Sequence, residues 1–277
     1  MTTVALTGAT GFVGRQILHH LLEAGQDVRA IVLAGEATDP RLLRPNVEIV
    51  KTSNLFAEPI ETLRTYVQGY HTLIHAAWYV EPGHYLASPL NLECLIGTLR
   101  LAEAFKAAGG HRFVGLGTCF EYDVDAGLLS TATPLRPHTL YAASKTAVFQ
   151  VLSHLLPLDG VEFAWCRLFY LYGEGEDERR LVPYLRGRLA AGESAELTSG
   201  NQIRDFLDVA EAGAMIAETA LGARQGPMNI CSGVPITVRE LAERIADEYG
   251  RRDLLQFGAR PDNAVDPPRV VGVREDW

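Results

Sequence analysis

Three groups of residues in this chain have types and spacings suited to chemistry. The first is Tyr141-Ala-Ala-Ser-Lys145. On a helix, residues four apart share a face, so the phenol and the ammonium stand side by side. A phenol ordinarily titrates near pH ~10. A neighbouring ammonium stabilises the phenolate and brings it toward the working pH, so that the tyrosine can give a proton to, or take one from, an alcohol oxygen. The second group is Gly117-Thr118-Cys119-Phe120-Glu121-Tyr122, where the Thr118 hydroxyl can hydrogen-bond a reacting oxygen. The third is the glycine series Gly8, Gly11 and Gly14 after the apolar run Val4-Ala5-Leu6. Glycines are needed where a side chain would keep the backbone from a phosphate, or keep helix and strand apart. Taken singly, each group has a bland reading: a surface pair on a helix, a turn-capping threonine, a tight strand-to-helix turn.

The elements that must position them give the groups weight. Apolar Val13, Ile17, Leu18, Leu21 and Leu22 recur at helical spacing after the glycines, so the first helical N–H groups are free to hold a pyrophosphate. Further strands are read at 28–33, 47–50, 72–77, 112–117 and 161–169, with helices at 59–68, 89–108 and 141–156. Strands alternating with helices imply an α/β fold, a doubly wound parallel sheet of Rossmann type covered on both faces. In such sheets the carboxyl ends of the strands face the ligand crevice, which is where Thr118 falls. From about 171 the pattern shortens, with helices at 178–191, 209–221 and 237–249. The expected organisation is a dinucleotide-binding domain over 1–170, with parts of the later chain packing on it, and a small substrate lobe over 171–277.

The bulk numbers are compatible with this. With 277 residues and 47% hydrophobic content the chain can bury a full core. A net charge of −9 argues against a nucleic-acid surface but not against an anionic small molecule held by local arginines. Cys94, Cys119, Cys166 and Cys231 form no metal or disulfide spacing, and His19-His20 has no useful partner, so no metal is expected. The chain enters a strand at once and has no apolar run of membrane length, so no signal peptide, no membrane contact and a cytoplasmic location are expected.

The three groups together resemble the extended short-chain dehydrogenase/reductase family, in its NAD(P)-dependent nucleotide-sugar epimerase/dehydratase branch. The resemblance runs from residue 3 to about 262. It implies that Thr118, Tyr141 and Lys145 are catalytic. It implies that Gly8, Thr10, Gly11, Phe12, Val13, Gly14, Asn54, Leu55, His75, Ala76, Ala77, Asn91, Tyr141 and Lys145 bind the cofactor. Arg204-Asp205-Phe206-Leu207-Asp208-Val209 resembles the segment whose arginine holds the sugar-nucleotide diphosphate, and Arg260-Pro261-Asp262 resembles a second phosphate-side segment. With Trp78, Thr118 and Tyr170, Arg204 and Arg260 make the expected substrate set. Trp78, Tyr79 and Tyr85 either wall the sugar or pack under their loop.

The departures from the family pattern shape the expectation. No acidic residue ends the second strand at Ile31-Val32-Leu33-Ala34, so NADP is expected ahead of NAD. Tyr170 stands where the family has an asparagine beside the diphosphate, and Asn54 where it often has an aspartate near adenine. The chain stops at Trp277 without the family's closing helices, so the lobe is reduced or the chain incomplete. The family's 4,6-dehydratases carry Asp-Glu directly after the catalytic threonine; Cys119-Phe120 stand here, and neither can do that acid–base work. The expected reaction is therefore 4-ketoreduction of a nucleotide-diphosphate 4-keto-6-deoxyhexose with Tyr141 as proton donor. The alternatives are a nucleotide-sugar 4-epimerase and, from another class, a non-catalytic dinucleotide sensor, against which retention of the Tyr-Lys pair weighs. A homodimer is expected through the helices at 89–108 and 141–156, including Leu95, Leu99, Phe149 and Leu152, because helices apolar beyond one stripe need a second partner.

Overall fold

The structure is a computed structural model and describes residues 3–263 and 266–274. Strand β1 (Thr3–Thr7) leads through the glycine turn into helix α1 (Gly14–Glu23), and β2 (Asp27–Leu33), β3 (Val47–Thr52), α2 (Ile60–Val67) and β4 (Thr72–His75) follow. Helix α3 (Leu90–Ala107), β5 (Arg112–Thr118), the short β6 (Leu128–Leu129), α4 (Leu140–Leu155) and β7 (Glu162–Leu168) complete the alternating part. The later chain forms β8 (Tyr170–Tyr172), α5 (Leu181–Ala190), β9 (Ala195–Leu197), β10 (Ile203–Asp208), α6 (Val209–Leu221) and β11 (Gly226–Ile230). It closes with β12 (Pro235–Thr237), α7 (Val238–Tyr249), β13 (Leu255–Phe257) and β14 (Arg269–Gly272).

Seven strands make one parallel sheet in the order β11-β7-β5-β4-β1-β2-β3. The order reverses beside β1, which opens a crevice at the carboxyl ends of β1 and β4. Strands buried on both faces read as continuous apolar runs, and β4 and β5 are buried along their whole length. One face is covered by α1 and α6, whose Ile17, Leu18, Leu21, Val209, Ala212 and Ile216 pack with Val4, Leu6 and Val114. The other is covered by α2, α3 and α4, where Leu63, Leu101, Phe105, Val148 and Leu152 meet Ala5, Phe113 and Trp165.

The chain crosses back into this sheet after residue 208. Strand β11 adds to β7 in parallel, and Met228 and Ile230 join the same core as Val4. The lobe proper is built on β12, β10, β14 and β6, with β8 also paired to β10, and on the β9–β13 pair under α5 and α7. Only Phe169 separates β7 from β8, so the chain passes from the large sheet into the small one across a single residue.

Two local expectations change. The helix expected from 178 starts at Leu181, because Asp177 caps a turn in which it accepts from the Arg179 N–H and the Arg180 N–H closes on its carbonyl. Leu152 is fully buried inside the chain, and Leu95, Leu99 and Phe149 pack on the same core. The large apolar side chains that α3 and α4 leave exposed are instead Leu90, Leu92, Ile96, Leu140 and Val151. Among the described residues no helix is long and apolar enough to cross a membrane.

Candidate active site

The glycine turn is pressed against the end of β4. Gly8 takes φ +70°, and a Cβ there would stand 2.8 Å from the Ala77 nitrogen; a Cβ on Gly14 would stand 1.9 Å from the Gly8 carbonyl oxygen. Only glycine lets the two segments meet. The Gly11 N–H closes on the Gly8 carbonyl at 3.0 Å, and Phe12 and Val13 pack half-buried on the core as α1 begins. The free N–H groups of a helix start then face the crevice, a cradle that fits a pyrophosphate. The Thr10 hydroxyl donates to Glu36 Oε2 at 2.6 Å. The two residues line a cleft of about 580 Å³ with Gly35, Thr38, Asp39, Pro40 and Arg41. Arg41 hydrogen-bonds Asp39 and holds its carboxyl down at about 2. An acid thus stands in the cleft three residues after β2 ends, although none ends the strand itself.

The other expected cofactor residues divide. Ala76 and Ala77 border the glycine turn directly. Asn54 spends its side chain on the Phe56 N–H, starting a turn in which Leu55 is buried. His75 lies beneath the floor, 3% exposed, between two threonines. Thr98 Oγ1 donates to the Cys94 carbonyl, so it accepts from His75 Nε2 at 2.9 Å, and Thr7 Oγ1 donates to Nδ1 at 2.8 Å. Burial, and then the charge of Lys145, push His75 down to about 3, so the ring is neutral. Asn91 is fully buried; its amide donates to the Tyr85 and Ser88 carbonyls and accepts from Trp78 Nε1 at 2.8 Å. All of its side-chain polar atoms serve to hold the loop before α3.

Thr118, Tyr141 and Lys145 come together above the end of β5. Thr139 caps α4 through the Ala142 N–H, which sets Tyr141 and Lys145 one turn apart facing the crevice. The Tyr141 phenol is raised far above its ordinary value by burial, then by Tyr85, Glu121 and Cys119; a hydrogen bond from Thr118 pulls the other way. Lys145 Nζ donates to the Leu116 carbonyl at 2.7 Å and lies 3.8 Å from the centre of the Trp78 ring. Burial lowers Lys145 to about 7, against an opposing pull from Glu121. Trp78 therefore covers the lysine and meets Tyr141 edge-on at 6.4 Å.

The expected substrate residues are partly gathered. Tyr170 stacks edge-on against Phe120 at 6.1 Å, and the Arg204 guanidinium lies 5.3 Å from the Tyr170 ring, paired with Asp266 at 2.6 Å. Arg260 is not brought into this cluster: its guanidinium contacts Tyr184 and stands 3.8 Å from Glu196. Two neighbours of Tyr141 make contacts that the sequence analysis did not assign to them. Tyr85 meets the Tyr141 ring edge-on at 4.9 Å and is hydrogen-bonded by Arg180, a pairing with no local sequence signal. Glu121 accepts from the Thr118 N–H at 2.8 Å, completing a capping box whose Thr-x-x-Glu spacing was there to be read.

The family model for NAD dependent epimerase/dehydratase proteins matches residues 4–231. The chain belongs to that family, and it is an NAD(P)-dependent enzyme. Among its relatives is the dTDP-6-deoxy-L-talose 4-dehydrogenase (NAD(+)) of Aggregatibacter actinomycetemcomitans, 24% identical over 98% of this chain and 99% of that protein. The CDP-abequose synthase of Salmonella muenchen is 26% identical over 92% of this chain and 84% of its own length. Among solved structures, the UDP-glucose 4-epimerase of Thermus thermophilus in complex with NAD superposes with a TM-score of 0.84 at 22% identity, covering 98% of this chain and 90% of that one.

Tyr141→Phe keeps the ring and removes only the ionisable hydroxyl. Turnover should fall by about 10² or more while the fold and the cofactor affinity persist, checked by steady-state rates beside a cofactor titration. Near-normal turnover would remove Tyr141 from the chemistry.

Proposed function

We propose that the protein reduces the 4-keto group of a nucleotide-diphosphate 6-deoxyhexose, with Tyr141 delivering the proton to the carbonyl oxygen. The observation that carries this reading is that the Thr118 hydroxyl hydrogen-bonds the Tyr141 phenol, while the two residues directly after Thr118 carry no acid. Where a dehydratase needs two acids, burial pushes the Cys119 thiol up to about 12, and Phe120 only stacks on Tyr170. Neither can take a proton from sugar carbon at neutral pH. The bound nicotinamide would supply the hydride. The chain's own residues do the rest: the Thr118 hydroxyl orients the carbonyl oxygen, Tyr141 enters the reaction protonated, and Lys145, when charged, stabilises the negative charge left on the phenol oxygen. The 4-dehydrogenase and the synthase among the relatives support a nucleotide-linked deoxysugar as substrate. Arg204 anchors the diphosphate, for which a guanidinium fork is suited.

The test is incubation with nucleotide 4-keto-6-deoxyhexoses and NADH, beside UDP-glucose as an epimerase substrate. Stoichiometric NADH oxidation by the ketosugar, with no UDP-galactose formed, is expected. Conversion of UDP-glucose without net NADH use would make the protein an epimerase. With the substrate that reacts, Arg204→Ala should raise KM more than about tenfold, roughly 1.4 kcal/mol, with cofactor affinity unchanged, and the loss of the buried pair with Asp266 should also lower the melting temperature. An unchanged KM would take Arg204 out of the substrate site.

For the cofactor we propose NAD ahead of NADP. The Glu36 carboxylate shares a cleft with Thr10 of the glycine turn, where it can accept from a ribose hydroxyl and repel a 2′-phosphate. Glu36→Ser should improve NADPH affinity relative to NADH by about tenfold, read by nucleotide fluorescence titration. An unmoved ratio would count against this role.

We also propose a homodimer through α3 and α4, whose exposed Leu92, Ile96 and Val151 would be covered by a second copy. Light scattering at micromolar concentration should give twice the chain mass, and a monomer would exclude it.

A further inference from the structure

Thr118 ends β5 and begins a single 3₁₀ turn, Cys119–Glu121, too short to fix a side chain by itself. The carboxylate of Glu121 closes this turn. It accepts from the Thr118 N–H at 2.8 Å, from Trp165 Nε1 at 3.0 and 3.1 Å, and from Arg167 Nε at 2.8 Å. The Phe120 N–H donates to Thr118 Oγ1 at 3.3 Å, which occupies a lone pair of the hydroxyl and leaves its proton free to donate. The seat is built for the carboxylate: a Cβ on Gly117 would stand 2.4 Å from Glu121 Oε1 and 2.3 Å from Trp165 Nε1.

Stability does not explain this arrangement. Both side chains of the Glu121–Arg167 pair are at most 1% exposed, and a buried ion pair is seldom better for stability than apolar residues of the same volume. Arg167 lies between the rings of Tyr122 and Phe149 at 4.6 and 4.5 Å, and its Nη2 has no hydrogen-bond partner among the described residues. A partly satisfied buried network costs free energy. An apolar pair would fill the space, but it could not hold the Thr118 N–H or place a fixed charge beside Tyr141 and Lys145.

We propose that Glu121 is a positioning residue for the reduction: its carboxylate, seated between Trp165 and Arg167, holds the Thr118 turn so that the hydroxyl faces Tyr141. The direction of reaction in this statement rests on the ketoreductase reading above.

The Glu121 carboxylate also acts on the protonation of the Tyr141–Lys145 pair. Tyr141 is faced by Tyr85 from the loop after β4 and by Thr118 and Cys119 from the end of β5; Lys145 is faced by His75 from β4 and Cys94 from α3. His75 is neutral, and burial raises the thiols of Cys94 and Cys119, so they hold their protons at neutral pH. The charge of Glu121, paired with Arg167, raises both Tyr141 and Lys145. Without that charge, both lose their protons at lower pH.

The experiment compares the wild type with Glu121→Gln and Glu121→Asp. Glutamine keeps an acceptor for the Thr118 N–H and loses the charge; aspartate keeps the charge and loses reach. Glu121→Gln should lower kcat for reduction by about tenfold with KM within about twofold, and move the alkaline limb of the pH profile down by about half a pH unit or more. Glu121→Asp should lower kcat and leave the limb in place. The pH dependence of NADH affinity, read by fluorescence without any sugar, should move with the limb in Glu121→Gln. If that variant fails to fold around an unpaired Arg167, Glu121→Gln with Arg167→Met removes the stranded charge and should show the same limb shift. Folded variants with wild-type kcat and an unmoved limb, whether or not their melting temperature drops, would overturn the proposal. If the wild type reduces no ketosugar, the functional reading fails, while the NADH titration still decides the role of Glu121.

Discussion

The ion pair between Glu121 and Arg167 fastens the turn after β5 to strand β7. Arg167 belongs to β7, Glu121 to the turn after β5, and Trp165 reaches the same carboxylate from β7. Arg167 also donates to the Tyr122 hydroxyl at 3.0 Å, and Tyr122 donates to Asn229 Oδ1 of β11 at 2.8 Å. Asn229 passes the link on to the carbonyls of Leu129 and Val273. A buried network thus sets where the Thr118 turn lies relative to the lobe. Because water cannot replace any lost partner, its geometry is held to a single arrangement.

Dryness also decides which groups in the crevice carry charge. Burial favours the neutral form of every isolated ionisable group, and it is the largest cause at His75, Cys119, Tyr141 and Lys145 alike. The outcome is a neutral imidazole, a thiol, a protonated phenol and a lysine lowered to about 7, close enough to neutrality for its neighbours to decide its state. A site of this kind suits proton delivery to a developing alkoxide, where each fixed dipole acts with little screening.

Two loops meet over the crevice. Arg179 before α5 pairs with Glu81 at 2.9 Å, Arg180 hydrogen-bonds Tyr85, and the Arg15 guanidinium of α1 lies against Gly175. Glu176 is pushed up to about 7 by burial in the same loop. The contacts tie the segment after β8 to the loop after β4 and to the start of α1.

Much of this was legible in the sequence because its causes are local. The periods of apolar residues determined β1 to β5, β7 and helices α1 to α4 and α6. The i, i+4 spacing put Tyr141 and Lys145 on one face, and Gly8 and Gly14 announced a turn that tolerates no Cβ. The glycine, threonine and tyrosine–lysine motifs also carried the family. What the sequence did not carry depends on residues far apart in the chain. Asn91 and His75 have their polar atoms spent inside the protein, and Arg260 lies away from Arg204, because partners such as Thr98, Tyr85 and Tyr184 reach them only through the packed fold. Strand β11 reaches the large sheet by edge pairing with β7, which no local pattern encodes. Glu121 had a readable spacing to Thr118, but its burial and its pairing with a residue 46 positions later exist only once β5 and β7 lie side by side.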